Sequence, residues 1–372
     1  MSPDTAKHNF GLNKFLLPAA VFAVTYGCWN SAQAYDWTNI YGTSLTLGFD
    51  DNYRLDTVNE IDTSSTNLGV FTRLEGSSEI SNLELSLSVN NQSFSDSSID
   101  EQTGYQLALN SSRTGERLDS FLDVSLDSVS TADSELLDTG TLVDGTRESV
   151  SFSPGISYRL NERDSISANL TLQDVSYDTV SLTDYTDNSL TLGWRHGLDE
   201  TSSIAVSLST SVYETETNIT TDTNSLNLGY ELSVSAQTSY DFSIGYSEID
   251  RPAGSVSSGT YGIEMNYRSD DRNNFLASVS NGYEASGAGE VREEDRLGVR
   301  WNHGLSERAQ LTLSADGVKS DLRDYYSVEA GSNYQYSREV NLAASYRFRQ
   351  QSDALGSADS STLLFSLSYS SL

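Results

Sequence analysis

Across 372 residues the sequence has one cysteine, four prolines and three histidines. The cysteine, Cys28, lies inside a segment that reads as a leader, so the expected mature chain has no thiol. Disulfides, thiol catalysis and cysteine–zinc sites are excluded together. The scarcity of proline excludes a proline-rich linker. Positive charge is scarce as well. Lys and Arg number 22 against 53 Asp and Glu, a formal net charge of −31. That balance repels nucleic-acid phosphates and excludes nucleic acid as a partner. Beyond the leader, no stretch approaches the about 18 consecutive apolar residues of a membrane helix. A helical period is missing too, since no 3.6-residue pattern persists for three turns after residue 35.

What is present starts with the leader. Lys7 and Lys14 supply a positive region, "FLLPAAVFAV" a short apolar region, and "AQA" (Ala32 to Ala34) a small-x-small cleavage site. The expected division is a signal peptide over residues 1–34 and one mature domain over 35–372. Low hydropathy and high charge could suggest disorder. The 21 tyrosines and the regular Leu, Val and Ile content argue against it.

The apolar residues alternate with polar ones, the period of a strand with one apolar face. "NLELSLSV" puts Leu83, Leu85, Leu87 and Val89 on one side, and "SISANLTLQ" does the same with Ile166, Ala168, Leu170 and Leu172. Short connections such as "RLNERDS", "RHGLDETS", "RSDDRN" and "NHGLSER" alternate with longer acidic ones. Examples of the latter are Asp127 to Glu148 and Tyr213 to Asn224. Tight turns at one end and longer loops at the other are the layout of an outer-membrane barrel.

An aromatic residue stands at or just before each short turn: Tyr158, Trp194, Tyr230, Tyr267, Trp301 and Tyr336, with Tyr369 near the C-terminus. The spacings are 36, 36, 37, 34, 35 and 33 residues. Each interval is one strand–loop–strand–turn unit. Every second strand meets the same membrane boundary, so these seven residues are read as a periplasmic aromatic girdle. Tyr177, Tyr246, Tyr283 and Phe348 are read as a second girdle at the loop side. The expected fold is all-β: a transmembrane antiparallel up-and-down β-barrel of about 18 strands, with 16 as the fallback. Its turns are short on the periplasmic side, and its extracellular loops are longer and acidic.

If the apolar phase faces lipid, the other phase lines a lumen of Ser, Thr, Asn, Gly and Ala. The lumen-lining charges are expected to be Arg195, Asp241, Glu264, Arg268, Arg296, Arg300, Asp316, Glu329, Arg347 and Arg349, with Arg73, Glu84 and Asp123 in the same phase. Such charges can set the selectivity of a pore or simply pair laterally on a wet wall. No dense aromatic ladder supports a sugar slide.

The acidic loops lack EF-hand spacing, and no cofactor or metal is expected. An enzyme is not expected either. His196 and His303, in the repeated "WRHGL" and "WNHGL", fall in the lipid-facing phase beside short turns, and there is no G-x-S-x-G or H-E-x-x-H.

The turn motifs "YRLNERDSI", "WRHGLDETSSI" and "WNHGLSERAQL" share an aromatic and a following Leu-x-Glu that lead into the next strand. In these the chain resembles β-barrel porins of Gram-negative bacteria of the kind associated with exopolysaccharide export and PEP-CTERM/exosortase systems. The resemblance implies an outer-membrane conduit for a polysaccharide, working with periplasmic export proteins. Outer-membrane lipids and lipopolysaccharide are the other expected partners. It implies no catalytic residues. A general or solute-specific diffusion porin, and a structural or adhesive barrel acting through its acidic loops, are the alternatives. The C-terminal "FSLSYSSL" departs from the usual terminal aromatic, with Tyr369 three residues from the end.

Overall fold

The computed structural model describes residues 35–371 apart from 56, 58–59, 132–133, 135–144, 322 and 354–355. The expected leader, and most of the connection expected within Asp127 to Glu148, lie outside the described residues. The strands are β1 (Asp36–Asp50), β2 (Thr63–Ser77), β3 (Ser81–Phe94), β4 (Gln102–Thr114), β5 (Leu118–Ser130) and β6 (Thr146–Arg159). They continue as β7 (Asp164–Tyr177), β8 (Tyr185–Gly197), β9 (Ser202–Thr215), β10 (Thr220–Ser235), β11 (Thr238–Arg251) and β12 (Gly254–Asp270). The last six are β13 (Asn273–Ser286), β14 (Glu290–Gly304), β15 (Ala309–Ser320), β16 (Arg323–Gln335), β17 (Val340–Asp353) and β18 (Gly356–Ser370).

Each strand pairs antiparallel with its sequence neighbours, and β1 closes on β18 through Gly42↔Ser370 to Asp50↔Thr362. The result is a closed 18-stranded up-and-down barrel, with no open edge along the main wall. The apolar phase is outside. Leu190, Leu192 and Trp194, or Leu363, Phe365 and Leu367, are exposed while their strand neighbours turn inward. Strand lengths run from 12 to 17 residues, beyond the about 9–11 that cross a bilayer. The wall therefore overshoots the apolar band. Pro154 sits inside β6, where it has no N–H to give. The β6–β7 ladder is interrupted there, between Phe152↔Leu172 and Gly155↔Asn169.

At one end every connection is two to four residues long, held by local side chains. Asn161 Oδ1 accepts from the amides of Arg163 and Asp164 at 2.8 and 2.9 Å. Asp270 Oδ1 accepts from those of Arg272 and Asn273 at 2.8 Å each. Asp199 accepts from the Thr201 amide and hydroxyl, which hold its carboxyl below the ordinary carboxylate value.

The other end is less regular. Connections 51–62, 95–101, 131–145 and 178–184 are long, but the last four hairpins turn in two or three residues. Gly254, Gly289 and Gly356, all at positive φ, make three of these tight turns. Loop lengths read from the sequence were too great at Asp127 to Glu148 and at Tyr213 to Asn224. There β5, β6, β9 and β10 continue as strand to Ser130, from Thr146, to Thr215 and from Thr220. Above the apolar band both strand faces are polar, so no alternation marks the strand. The first strand likewise begins at Asp36, well before the alternation of Leu45, Leu47 and Phe49.

Candidate functional site

The candidate site is the inner wall together with the mouth at the long-loop end. On β8, Arg195 takes the phase opposite Trp194, and it pairs with Glu231 of β10. Cross-strand register then carries one inward row across eight strands. Glu231 stands opposite Asp241, Asp241 opposite Glu264 and Glu264 opposite Ser278. Ser278 meets Gly298, then Asp316, Ser327 and Arg349 in turn. The row enters four residues from the turn end of β10 and leaves four residues from the loop end of β17.

All ten charges expected at the lumen take this inward phase. Arg347 Nε donates to Glu329 Oε2 at 2.9 Å, and Arg296 Nη2 to Glu294 Oε2 at 2.8 Å. Arg73 lies 3.5 and 3.7 Å from Glu75 and Glu84. Asp241, Glu264, Asp316, Arg268 and Arg300 make no ion pair among the described residues. Of the expected girdle, Tyr158 and Trp194 share one outward row through Ile166, and Tyr267 and Trp301 share another through Phe275. Tyr336 lies in the β16–β17 turn, one residue past β16. Trp37 and Tyr41, unread in the sequence, add exposed aromatics on β1. Gly76 leaves room for the Trp37 indole, whose carbons would lie 2.6 Å from a Cβ built there.

The mouth is filled by parts of the wall itself. Pairing of β12 with β13 stops at Tyr261↔Asn281, and pairing of β14 with β15 starts at Glu294↔Ser320. Between these limits β13 and β14 pair only with each other, up to Ser286↔Glu290. This free hairpin leaves the wall and reaches over to β7–β9. Its Tyr283, Ala285 and Val291 pack against Val175, Tyr177, Leu182, Tyr185 and Tyr213 of β7–β9 and their loop. Three hydrogen bonds latch it: Tyr213 Oη donates to Ser286 O at 2.8 Å, the Thr183 amide to Gly287 O at 2.8 Å, and Arg251 Nη2 to Val291 O at 2.8 Å. Tyr177 and Tyr283 are therefore not girdle residues. Tyr177 is 9% exposed and turns inward, and Tyr283 rides on the hairpin. Tyr246, by contrast, is exposed in the outward phase of β11.

The β1–β2 connection also folds inward. Leu55 packs on Val318, Tyr325 and Ala358 of the inner wall, and Tyr53 packs with Ile99 of the β3–β4 loop. Leu55 holds φ +49°, a left-handed conformation that costs a leucine about 1–3 kcal/mol, and burial to 6% exposure offsets that strain. Beside it Asp50 is enclosed. Arg349 Nη2 donates to its Oδ2 at 2.8 Å, Ser360 Oγ to its Oδ1 at 2.8 Å, and Thr362 Oγ1 to its Oδ2 at 2.6 Å. Nothing in the sequence pattern pointed to Asp50, Leu55 or Tyr213. Glu290, Arg292 and Glu294 could have been found by extending the phase of Arg296 and Arg300.

The two histidines occupy equivalent turns. His196 Nδ1 lies 2.8 Å from Asp164 Oδ1, and its ring stacks on Trp194 at 5.8 Å. His303 Nδ1 lies 2.7 Å from Asn273 Oδ1, with Trp301 at 5.3 Å. Each imidazole ties a strand end to the start of the strand before it. Among the described residues no three His, Cys, Asp or Glu side chains come together as metal ligands, and no helix is long and apolar enough to cross a membrane.

No family model matches the sequence, and no curated protein matches it. Solved structures do. OpdQ of Pseudomonas aeruginosa shares 10% identity with a TM-score of 0.50, over 90% of this chain and 99% of its own. The outer membrane protein OpdK of the same organism gives the same four values. OccK5 (OpdH), also from P. aeruginosa, is 10% identical at a TM-score of 0.50, over 91% and 99%. At this identity the likeness is one of fold: an 18-stranded antiparallel barrel.

Proposed function

We propose that the chain is an outer-membrane diffusion channel for small polar solutes. The observation that carries this reading is the two-faced wall: exposed Leu, Val, Phe and Tyr rows outside, and a Ser, Thr, Asn and Gly lining with charges of both signs inside. A barrel of this strand number leaves room for water within. The shared fold with the outer membrane protein OpdK supports the location, and the leader expected over residues 1–34 supports export. The outward rows would meet membrane lipid, with lipopolysaccharide at the loop side.

The exopolysaccharide conduit implied by the resemblance finds less support. The hairpin and the β1–β2 connection both enter the mouth, and a polymer would have to thread past their latches. The test is single-channel recording of the purified barrel in planar bilayers. Stepwise current in potassium chloride is the expected result. A correctly assembled barrel that passes no current would replace this reading with that of a plugged structural barrel.

A further inference from the structure

Where the β13–β14 hairpin departs from the wall, it leaves a strand edge behind. Pairing of β12 with β11 runs from Thr238↔Tyr267 to Arg251↔Gly254, while pairing with β13 stops at Tyr261↔Asn281. Had β13 kept its register, Gly282 to Ser286 would have covered Thr260 to Val256. Instead the segment Gly254–Thr260 is paired on one side only. Gly254 to Ser257 and Gly259 are exposed. The space beside them is open. A Cβ built on Gly254 or Gly282 meets nothing within 4 Å, and one on Gly259 meets only Gly245 O of its own ladder, at 3.8 Å. The hairpin that could fill the gap is held on β7–β9 by its latch.

The Arg268 amide donates to Gln237 O, on the β11 side. Successive residues of a strand turn their N–H and C=O groups to alternate sides. Ser255, Ser257 and Gly259 therefore direct theirs to the open side. Among the described residues only Gly259 O has a partner there, the Ser258 hydroxyl at 3.3 Å. Exposed edges are ordinarily guarded by proline, by charge or by a bulge. The run "GSVSSGT" has none of these. The outward face around it is acidic. Glu248 and Asp250 of β11 stand opposite Ser257 and Ser255. Across the gap, Glu293 accepts from the Ser258 hydroxyl at 3.1 Å and Asp295 from the Tyr261 hydroxyl at 3.2 Å. All four acids are exposed, and none has an ion pair among the described residues, not even Asp295 with its register neighbour Lys319.

We propose that the Gly254–Thr260 edge is a docking site for an extended, basic polypeptide segment, which adds to β12 as a further strand at the loop side of the barrel. Backbone bonds to Ser255, Ser257 and Gly259 supply the affinity, and basic side chains at alternate positions reach the carboxylates of the outward face. A second copy of the chain cannot take this place in the same membrane. Two β12 edges pair antiparallel only if one barrel is inverted, and parallel only if the barrel axes cross at twice the strand tilt. The docking site does not depend on conduction through the lumen.

The test is fluorescence anisotropy of a labelled octapeptide of alternating lysine and threonine, titrated with the assembled barrel in detergent micelles. Saturable binding is expected. The same peptide N-methylated at every residue has equal charge and no amide to give, and it should not bind. Ser257→Pro removes one free amide while Val256 and Ser258 keep their bonds to β11, and proline is tolerated at an open edge. It should weaken binding about fivefold, the factor for one backbone hydrogen bond. Glu248→Gln combined with Asp250→Asn should weaken it about fivefold as well, through two exposed charge contacts. Absence of saturable binding overturns the proposal. So does equal binding of the methylated peptide, or wild-type affinity in an assembled Ser257→Pro barrel, since either means adsorption on an acidic surface. Unaltered affinity after loss of the two carboxylates overturns the basic partner.

Discussion

The two ends of the barrel are built on different principles. At the turn end each connection is closed by residues within a few positions of one another, as Asn161 does for Asp164 and Asp199 for Thr201. At the loop end the decisive contacts join distant strands. Asp50 meets Arg349 across 299 residues, and Tyr213 meets Ser286 across 73. Local closure repeats with the hairpin and only has to return the chain. Long-range closure is particular to this barrel, and it brings wall-derived side chains into the mouth at the loop end.

This contrast sets the expected effects of substitution. The largest should come from the enclosed ion pair at the loop end. Arg349 and Asp50 are 10% and 7% exposed at their side chains. Arg349→Leu leaves the carboxylate buried without its cation and is expected to cost about 3–5 kcal/mol, measured by urea unfolding of the barrel in lipid. The same change at the turn end, Arg159→Leu, breaks an open pair with Asp119 at 46% and 37% exposure and should cost only about 0–1 kcal/mol. Equal losses at the two sites would erase the distinction between the ends.

Next comes the hairpin latch. Tyr213→Phe removes the hydroxyl that holds Ser286 O, a loss of about 1 kcal/mol. The tip should then sample open positions, seen as a noisier and larger single-channel current. An unchanged trace would mean that the apolar packing of Val291 and Ala285 suffices. The smallest effect is expected from the turns. His196→Asn and His303→Asn should leave conductance unaltered, since each histidine only ties a strand end. A lost current in an assembled double variant would give those turns a part in conduction.

The same contrast explains what could be read from the chain. The equivalent places of Trp194 and Trp301 were legible because the hairpin unit recurs at a nearly constant length and so leaves a period. The inward placement of Arg195, Asp241 or Arg347 followed from counting residues in twos along strands whose apolar phase is plain. Tyr177 and Tyr283 were misplaced by that very logic. A period places a residue along the wall, and it cannot tell that β13 and β14 part from the wall above Asn281. Asp50 and Leu55 left no sign at all, because their partners are fixed by barrel closure and not by neighbours in sequence.

The inward row from Glu231 to Arg349 has one more consequence. It runs perpendicular to the strands, yet it starts beside one rim and ends beside the other, because the strands are inclined to the barrel axis. The charged residues are thus laid out as the thread of a screw. If the proposed channel hands a solute from one to the next, that solute would rotate as it advances, and strand inclination has a single hand in proteins of L-amino acids. In the proposed channel, a rigid chiral solute and its mirror image would therefore present different groups to the same sequence of side chains.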